Sequence, residues 1–308
     1  MKFIRNTYLI HSTDYKNWIF DPNHPTQGRR FDNARDLFLE LAKNKNIDVV
    51  EISPNNVHRA ELLRVHTPEY VTEVLDQHLS SEWDGKRSDL ADLASKFVQG
   101  TLYALDNLMM GNTKLAIHFP GAKHHAQADH SSGFCVFADF AIAADIATEH
   151  GKRVAILDID GHHGDGTENL TKDNPNVLTF SIHEYGIFPG TGDESYPDKD
   201  VYNYPLGSNQ EGHDPNTDDG ALLRGVNQFC KLAKEFKPDL LFIACGADGH
   251  KEDPLTNLQY SVEGYVAAAK KVRQIFPELP ILLGGAGGYL PDTRTPEVWA
   301  KVAITLAT

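Results

Sequence analysis

Short apolar runs alternate along the chain with stretches in which apolar residues recur every three or four positions. The apolar runs predict β-strands, at residues 2–10, 47–52, 114–119, 153–157, 177–182, 239–245 and 280–283. The periodic stretches predict helices, at about residues 30–44, from 68, and at 88–110, 136–149, 218–236, 261–276 and the C-terminal end. Alternating strands and helices build a largely parallel sheet covered on both faces. The pattern therefore predicts one α/β domain over residues 1–308.

Individual residues mark the ends of two predicted helices. Thr67 is a good N-cap in front of Pro68, which suits the first helical position. Ser88 is predicted to cap the next helix, and Gly111 to end it. The Gly-, Asp- and Pro-rich segment at 184–220 carries no predicted element before the helix that begins near its end.

Composition narrows the class of protein. With 41% hydrophobic and 23% charged residues the chain resembles a soluble globular protein, and its net charge of −14 argues against nucleic-acid binding while permitting cationic substrates. The cysteines at 135, 230 and 245 show no CxxC spacing, which predicts a reducing compartment without disulfides. Arg5 and Asn6 interrupt the first apolar run, and no run approaches a membrane span. We expect a cytoplasmic protein with neither a signal peptide nor a membrane partner.

The densest polar cluster, RVAILDIDGHHGDGT at 153–167, directly follows an apolar run. Open α/β sheets bind ligands at the carboxyl ends of their strands. Asp158 and Asp160 alternate along the strand, so both carboxylates are expected to point to the same side of the sheet, and His162 continues that row. Two carboxylates and an imidazole form a donor set that Zn²⁺ accepts. The cluster predicts a metal site, and the alternative is a polar loop with helix-capping aspartates.

Polar side chains also follow other predicted strands. These groups are Lys123-His124-His125, Ser181-Ile182-His183, Gly246-Ala247-Asp248 and the Gly-rich stretch that ends in Tyr289. In a parallel sheet, all these strand ends lie on one edge. We therefore expect residues far apart in the sequence to gather at one site.

Five ordered motifs resemble the zinc-dependent histone deacetylase family. They are HH followed by GFC, DxDxHHGDGT, SIH…FPGTGD, GADxHxxDPL and GGxGGY, and together with their flanks they extend over residues 11–299. This family includes acetylpolyamine amidohydrolases and acetoin-utilisation proteins, and it shares its fold with arginases. The resemblance implies an arginase/deacetylase fold with a central parallel sheet of about eight strands. It also implies hydrolysis of an acyl-lysine or a similar amide.

The resemblance implies a catalytic metal held by Asp160, His162 and Asp248. Three protein ligands leave a coordination position for water and the substrate carbonyl, as in catalytic zinc sites. The implied cofactor is Zn²⁺, with Fe²⁺ as the alternative in the cell. Considered alone, Asp248 has an alternative interpretation, in which its side chain caps the N-terminus of a helix that follows the strand.

The same resemblance assigns roles in catalysis. His125 matches the general base, and His124 matches the histidine that assists it and holds charge. Asp165 would pair with His125 and Asp158 with His124, which fixes the tautomer of each imidazole. Tyr289 matches the donor to the developing oxyanion, and its alternative is an exposed loop tyrosine.

A substrate tunnel and an ion site are implied as well. Phe134 and Phe188 match the aromatic pair around the lysine stem, and Gly133 matches the carbonyl that accepts the amide N–H. Arg30 matches an arginine near an acetate exit channel, and the alternative is a solvated charge at a helix start. A potassium site in relatives falls on Asp158, Asp160, His162, Ser181 and Ile182.

Two departures from the family pattern accompany these matches. Many relatives carry PPGHHA where this chain has PGAKHHA, which places Lys123 beside the tandem histidines, and FNN or FND is replaced by Phe137-Ala138-Asp139. The stretch between Tyr70 and Leu115 is short, without the long insertion of polyamine-specific relatives.

Three functions are weighed on this basis. The leading prediction is a zinc-dependent deacylase acting on an acyl-lysine peptide or protein, or on another acylated amine. The second is an acetylpolyamine or other small-molecule amidohydrolase, and an arginase-type binuclear manganese site is disfavoured because the chain has one DxDxH stretch. The third is a non-catalytic acyl-lysine binder, which would require a lost ligand or base, and none is lost. The sequence does not indicate an oligomeric state.

Overall fold

A single eight-stranded sheet forms the centre of the protein, which a computed structural model describes over residues 6–308. All neighbouring strands pair in parallel, in the order β2-β1-β3-β8-β7-β4-β5-β6. The strands are β1 Thr7–Ile10, β2 Val49–Ile52, β3 Leu115–His118, β4 Val154–Asp158, β5 Val177–Glu184, β6 Val201–Leu206, β7 Leu240–Ala244 and β8 Ile281–Gly284. The predicted parallel sheet is confirmed.

Two layers of helices cover this sheet. They are α1 Arg29–Asn44, α2 Arg59–Leu62, α3 Pro68–Leu75, α4 Ser88–Met109, α5 Asp139–Glu149, α6 Asp165–Thr171, α7 Asp219–Phe236, α8 Val262–Ile275 and α9 Arg294–Ala307. Helices α1, α9, α8 and α7 pack in succession in one layer, and α3, α4, α5 and α6 in the other. Every residue of β4, β7 and β8 is buried, because central strands of a parallel sheet are covered on both faces.

Aromatic side chains fix one helix layer on the sheet. The indole of Trp299 in α9 lies parallel to the rings of Phe31 and Phe119, with centroid distances of 6.0 and 5.8 Å. All three side chains are buried. Because Phe31 belongs to α1 and Phe119 follows β3, this stack holds the two helices at the strand ends that carry the polar clusters.

Most predicted elements are present. Thr67 caps α3 as predicted, by accepting a hydrogen bond from the Tyr70 N–H. The prediction for Ser88 is wrong, because Ser88 is the first residue of α4 and no side chain caps that helix. Strand β6 lies inside the segment for which no element is predicted, and residues 2–5 of the first predicted strand lie outside the described part of the chain. In residues 6–308, no helix has the length and apolar character that crossing a membrane requires.

Candidate active site

Three predicted metal ligands meet at the carboxyl ends of β4 and β7. These strands are neighbours in the sheet, with Asp158 in register with Ala244. Asp160 and His162 follow β4 and Asp248 follows β7, and one donor atom from each lies within 4.8 Å of the others. Strand β4 ends at Asp158, so the expected row of side chains does not continue along the strand. The loop, rather than the alternation of a strand, brings Asp160 and His162 to Asp248.

Backbone N–H groups orient this cluster. The His162 Nδ1 atom lies 2.9 Å from Asp248 Oδ2 and 3.2 Å from Asp160 Oδ1. The N–H of Gly161 donates to Asp248 Oδ1 at 2.8 Å, and the N–H of Gly287 donates to Asp160 Oδ2 at 2.7 Å. Each carboxylate thus directs one oxygen toward His162 and has its other oxygen held by the backbone.

The electrostatics of the cluster suit a cation. Burial, and then the charge of Asp160, raise the pKa of Asp248 to about 6. The pKa of His162 rises to about 11, because its hydrogen bonds to the two carboxylates outweigh the lowering effect of burial. Two carboxylates sharing one buried space are stabilised by positive charge. The donor set of two carboxylates and one imidazole nitrogen fits Zn²⁺.

Glycines make room for these carboxylates. A Cβ on Gly246 would overlap Asp160 Oδ2, and one on Gly287 would lie 2.5 Å from Asp248 Oδ2. The sequence alone suggests only that the glycines around Tyr289 form a tight turn, and the φ of +139° at Gly288 agrees with that. The structure adds a second reason, which is close approach to the ligands.

The tandem histidines lie beside the cluster, each with a carboxylate partner. The His124 Nδ1 atom is 2.7 Å from Asp158 Oδ2, and the His125 Nδ1 atom is 2.7 Å from Asp165 Oδ1. An ionised carboxylate can only accept, so Nδ1–H donates in each pair, and the Nε2 atom of a neutral histidine is left as an acceptor. The His124 Nε2 atom lies 3.7 Å from Asp160 Oδ1, which connects the pair to the metal ligands.

The two imidazoles differ in their affinity for a proton. The pKa of His124 is raised to about 9, because Asp158 and Asp160 outweigh the lowering effect of burial. The pKa of His125 is lowered to about 4, first by burial and then by the positive charge of His124. His124 is therefore a positively charged imidazolium, whereas His125 is neutral.

Sequence reasoning missed a residue that positions these histidines. The buried Asp139 carboxylate accepts the N–H groups of Ala122 and Lys123 at 3.0 and 2.7 Å. Ala122 has a φ of +66°, so these bonds hold an unusual backbone conformation shortly before His124. In the sequence, Asp139 stands out only as part of a departure from the family pattern. Its position shortly after the GFC motif is the signal that could have identified it.

A cavity of about 400 Å³ leads from the surface to His125 and His162. It is lined by His125, Gly133, Phe134, His162, Ile187, Phe188, Leu255 and Tyr289. The Phe134 ring lies 5.9 Å from that of Tyr289, and the Phe188 ring lies 5.0 Å from that of His125. Half of Phe188 is exposed, which places it at the mouth. The predicted substrate-binding residues thus line one tunnel.

Side chains behind the tunnel hold its walls in place. Gly133 and Phe134 have φ values of +54° and +65°, and the Phe134 N–H donates to the Glu82 carboxylate at 2.9 Å. The Tyr289 N–H donates to Asp253 Oδ2 at 2.8 Å. Neither acidic residue was identified from the sequence, although Asp253 lies within the GADxHxxDPL motif.

Arg30 is buried, so the alternative of a solvated charge at a helix start is wrong. One guanidinium N–H donates to the Gly288 carbonyl at 2.5 Å, and the guanidinium lies 5.7 Å from the Tyr289 ring centre. Arg30 lies on the buried face of α1, which directs its side chain inward. An acetate exit channel beside Arg30 stays a prediction.

The residues predicted for potassium lie along β4, β5 and the loop after β4. Asp158 is in register with Ser181, and Ile182 follows in β5. The Ser181 hydroxyl lies 2.9 Å from His183 Nδ1. Potassium binding stays a prediction.

Comparison with known proteins places these features in a family. A family model for the histone deacetylase domain matches residues 24–306. The acetoin utilization protein AcuC of Staphylococcus aureus strain MRSA252 is 30% identical over 333 aligned residues, covering 98% of this chain and 82% of that protein. AcuC of Bacillus subtilis strain 168 is 31% identical over 325 residues, covering 97% and 81%.

A solved structure shares the fold. The crystal structure of the HDA15 HD domain matches this protein with a TM-score of 0.84 at 23% identity, covering 98% of this chain and 90% of that chain. The predicted arginase/deacetylase fold is confirmed by this match. Together with the family match, it leads to one conclusion: the chain belongs to the histone deacetylase family and is a hydrolase of the deacetylase type.

Proposed function

We propose that the protein hydrolyses the amide of acetyl-lysine-type substrates in a zinc-dependent reaction. The observation that carries this proposal is the position of the Asp160, His162 and Asp248 triad beside two histidine–carboxylate pairs at the inner end of an apolar tunnel. A metal site, a base and a narrow apolar entrance are what cleavage of an amide on a long methylene chain requires.

Each residue of the site has a role in this reaction. Asp160, His162 and Asp248 would hold the zinc, which would supply Lewis acidity to the amide carbonyl and to the attacking water. His125 accepts the water proton at Nε2, since Asp165 holds the Nδ1–H on the other side of the ring. His124 carries positive charge against Asp158 and stabilises negative charge beside it. Tyr289 lines the tunnel and donates to the developing oxyanion.

The leaving amine takes up the proton that His125 accepted. The C–N bond breaks after the new C–O bond has formed, so water is consumed and a carboxylate and an amine are released. Gly133 directs its carbonyl to the amide N–H in this proposal, as the family resemblance implies. Phe134 and Phe188 exclude water from the methylene stem.

The lining of the tunnel favours lysine-type substrates over acetylpolyamines. Among its eight lining residues, none carries a carboxylate, and Ile187, Phe188 and Leu255 border the mouth. A polyamine carries further ammonium groups beyond the first methylene stem, and these would lie against apolar side chains without a counter-ion. A peptide backbone at the mouth is neutral and meets no such penalty.

Matched substrates test this proposal. We would assay metal-loaded protein with an acetyl-lysine peptide and with N-acetylputrescine, each with and without a chelator. Chelator-sensitive turnover of the peptide is expected. Preference for the acetylated diamine would assign the protein to the small-molecule alternative, and activity that survives complete removal of metal would contradict the zinc-dependent reaction.

A variant tests the ligand assignment directly. Replacing Asp248 by Ala is expected to abolish both activity and stoichiometric zinc, because it removes one of three ligands. Asp173, an exposed residue paired with Lys199, provides the matched control as Asp173→Ala. Elemental analysis measures metal content independently of turnover. Reconstitution with Fe²⁺ in place of Zn²⁺ compares the two candidate metals.

A further inference from the structure

Two cations are buried behind the catalytic residues without a carboxylate partner. Lys123 and Arg30 are 5% and 2% exposed. The Lys123 ammonium lies 5.8 Å from the centre of the Phe31 ring, and the Arg30 guanidinium lies 5.0 Å from the same ring. Phe97 packs against the ammonium as well, at 5.2 Å. The two positive groups therefore share one aromatic wall.

The tandem histidines, in contrast, each have a carboxylate partner. His124 faces Asp158 and His125 faces Asp165. Within residues 6–308, no carboxylate lies within 4.0 Å of the Lys123 ammonium or the Arg30 guanidinium, and the buried Arg30 Nε–H has no hydrogen-bond partner. Burying an ion without a counter-ion is costly, and aromatic faces offset only part of that cost.

The position of these cations relative to the tunnel indicates what could compensate them. Lys123 directly precedes His124, and Arg30 bonds to the carbonyl of the residue before Tyr289. The lysine stem enters past Phe188 at the exposed mouth, so the acyl group of a bound amide points away from the mouth, toward the interior. The methyl group of an acetyl substrate carries no charge to pair with these cations, whereas an anionic group would pair with both.

We propose that the acyl group removed by this enzyme carries its own carboxylate, as the half-amide of a short dicarboxylic acid, and that Lys123 and Arg30 bind this carboxylate. The inference rests on amide hydrolysis at the site described above and names its substrate class. Water attacks the amide carbonyl, the C–N bond breaks, and the amine leaves with a proton. The released acid is a dicarboxylate, and its formation needs no oxidant or further reactant.

The experiment uses three peptides that differ only in the acyl group on one lysine: acetyl, succinyl and the neutral isostere succinamyl. We expect kcat/KM for the succinyl peptide to exceed that for the succinamyl peptide by about tenfold or more, as expected for charge-assisted contacts in a buried site. Lys123→Met keeps a linear side chain and removes the charge. It is expected to reduce the succinyl-to-succinamyl ratio by about tenfold.

Each outcome decides the proposal. If the acetyl peptide is cleaved and the succinyl peptide is not preferred over succinamyl, the acidic-acyl inference is wrong and the proposed deacylase function stands. If none of the three is cleaved by zinc-loaded protein, both fail. The wild-type ratio alone is sufficient if Lys123→Met does not fold, and circular dichroism checks that point. An unchanged ratio in a folded Lys123→Met protein would exclude Lys123 as the counter-ion.

Discussion

The Nδ1 atom of His125 lies 2.7 Å from Oδ1 of Asp165, and the second oxygen of that carboxylate accepts a hydrogen bond from the Gln127 amide at 2.8 Å. This pairing fixes the tautomer of the proposed base. Asp165→Asn is expected to lower kcat by about 10- to 100-fold with little change in KM, because the imidazole loses its orientation and basicity.

An exposed pair of the same type provides the control. Asp129 and His130 are joined at 2.7 Å on the surface, with 71% and 61% of their side chains exposed. Asp129→Asn should leave steady-state kinetics unchanged. Equal kinetics for Asp165→Asn and the wild type would remove Asp165 from the mechanism.

Tyr289→Phe removes one hydroxyl from the tunnel wall. If Tyr289 donates to the oxyanion, the variant should lose about 2–4 kcal/mol of transition-state stabilisation in kcat, whereas substrate binding changes little. Steady-state kinetics and the affinity for an unreactive substrate analogue separate the two effects. A parallel loss of affinity and rate would instead indicate that the hydroxyl binds the substrate equally in the ground state and in the transition state.

A substitution of Gly133 tests how narrow the tunnel is. A Cβ at this position would overlap Cδ2 of His125 and lie 2.9 Å from Cε1 of Phe188. Gly133→Ala is therefore expected to reduce kcat/KM by at least about tenfold through a misplaced base, since small displacements of catalytic groups are expensive.

The strain of an alanine with positive φ has to be separated from this contact. Gly151 has a φ of +72°, and a Cβ added to it would meet no atom within 4 Å, so Gly151→Ala carries similar strain without the clash. Its kinetics should match the wild type even if its stability falls. A similar loss of activity in both variants would contradict the steric explanation.

The lowered pKa of His66 makes the stability of the folded protein depend on pH. Its Nδ1–H donates to the Gln127 carbonyl at 2.9 Å, and its Nε2 accepts from the Ala138 N–H at 3.0 Å. Burial, partly offset by the Gln127 hydrogen bond, lowers its pKa from 6.5 to about 4. The unfolded chain therefore binds this proton more readily, and the stabilisation is complete above pH 6.5 and is lost as the pH falls toward 4. The full effect is about 3 kcal/mol.

Denaturant unfolding at several pH values measures this dependence. His66→Leu should be less stable at neutral pH by about 1–3 kcal/mol, because the Ala138 N–H and the Gln127 carbonyl lose their partner. Its free energy of unfolding should also fall less steeply between pH 6.5 and 4 than that of the wild type. Parallel pH profiles for the two proteins would refute this assignment.

Much of the fold follows from local patterns in the sequence. The apolar run of β4 and the cap at Thr67 depend on neighbouring residues, and both could be predicted. Strand β6 escapes prediction because it lies at the edge of the sheet, where Pro205 is tolerated and the apolar pattern is weak. Helix α6 escapes it because its sequence, DGTENLT, is polar and begins at a residue fixed by the site.

In the candidate site, too, some residues could be predicted from the sequence and others could not. Residues that follow strands, such as Asp248 and His125, could be placed together because a parallel sheet gathers strand ends. The roles of Asp139 and Glu82 could not be predicted, since each side chain accepts hydrogen bonds from backbone N–H groups of a loop that is distant in the sequence. The burial of Lys123 could not be predicted either, because it depends on residues distant in the sequence. Its aromatic neighbours, Phe31 and Phe97, lie in helices α1 and α4, which precede it in the chain.

The order of strands has a consequence for synthesis of the protein. Among the strands that the structure describes, β8 alone joins the β2-β1-β3 part of the sheet to the β7-β4-β5-β6 part. His124 and His125 follow a strand of the first part, and Asp160 and His162 follow a strand of the second. Because β8 is also the last of these strands in chain order, the two parts of the sheet cannot be joined by strand pairing until β8 has been translated. We therefore expect a chain terminated before β8 to lack activity, because its sheet is not joined and Tyr289 is missing.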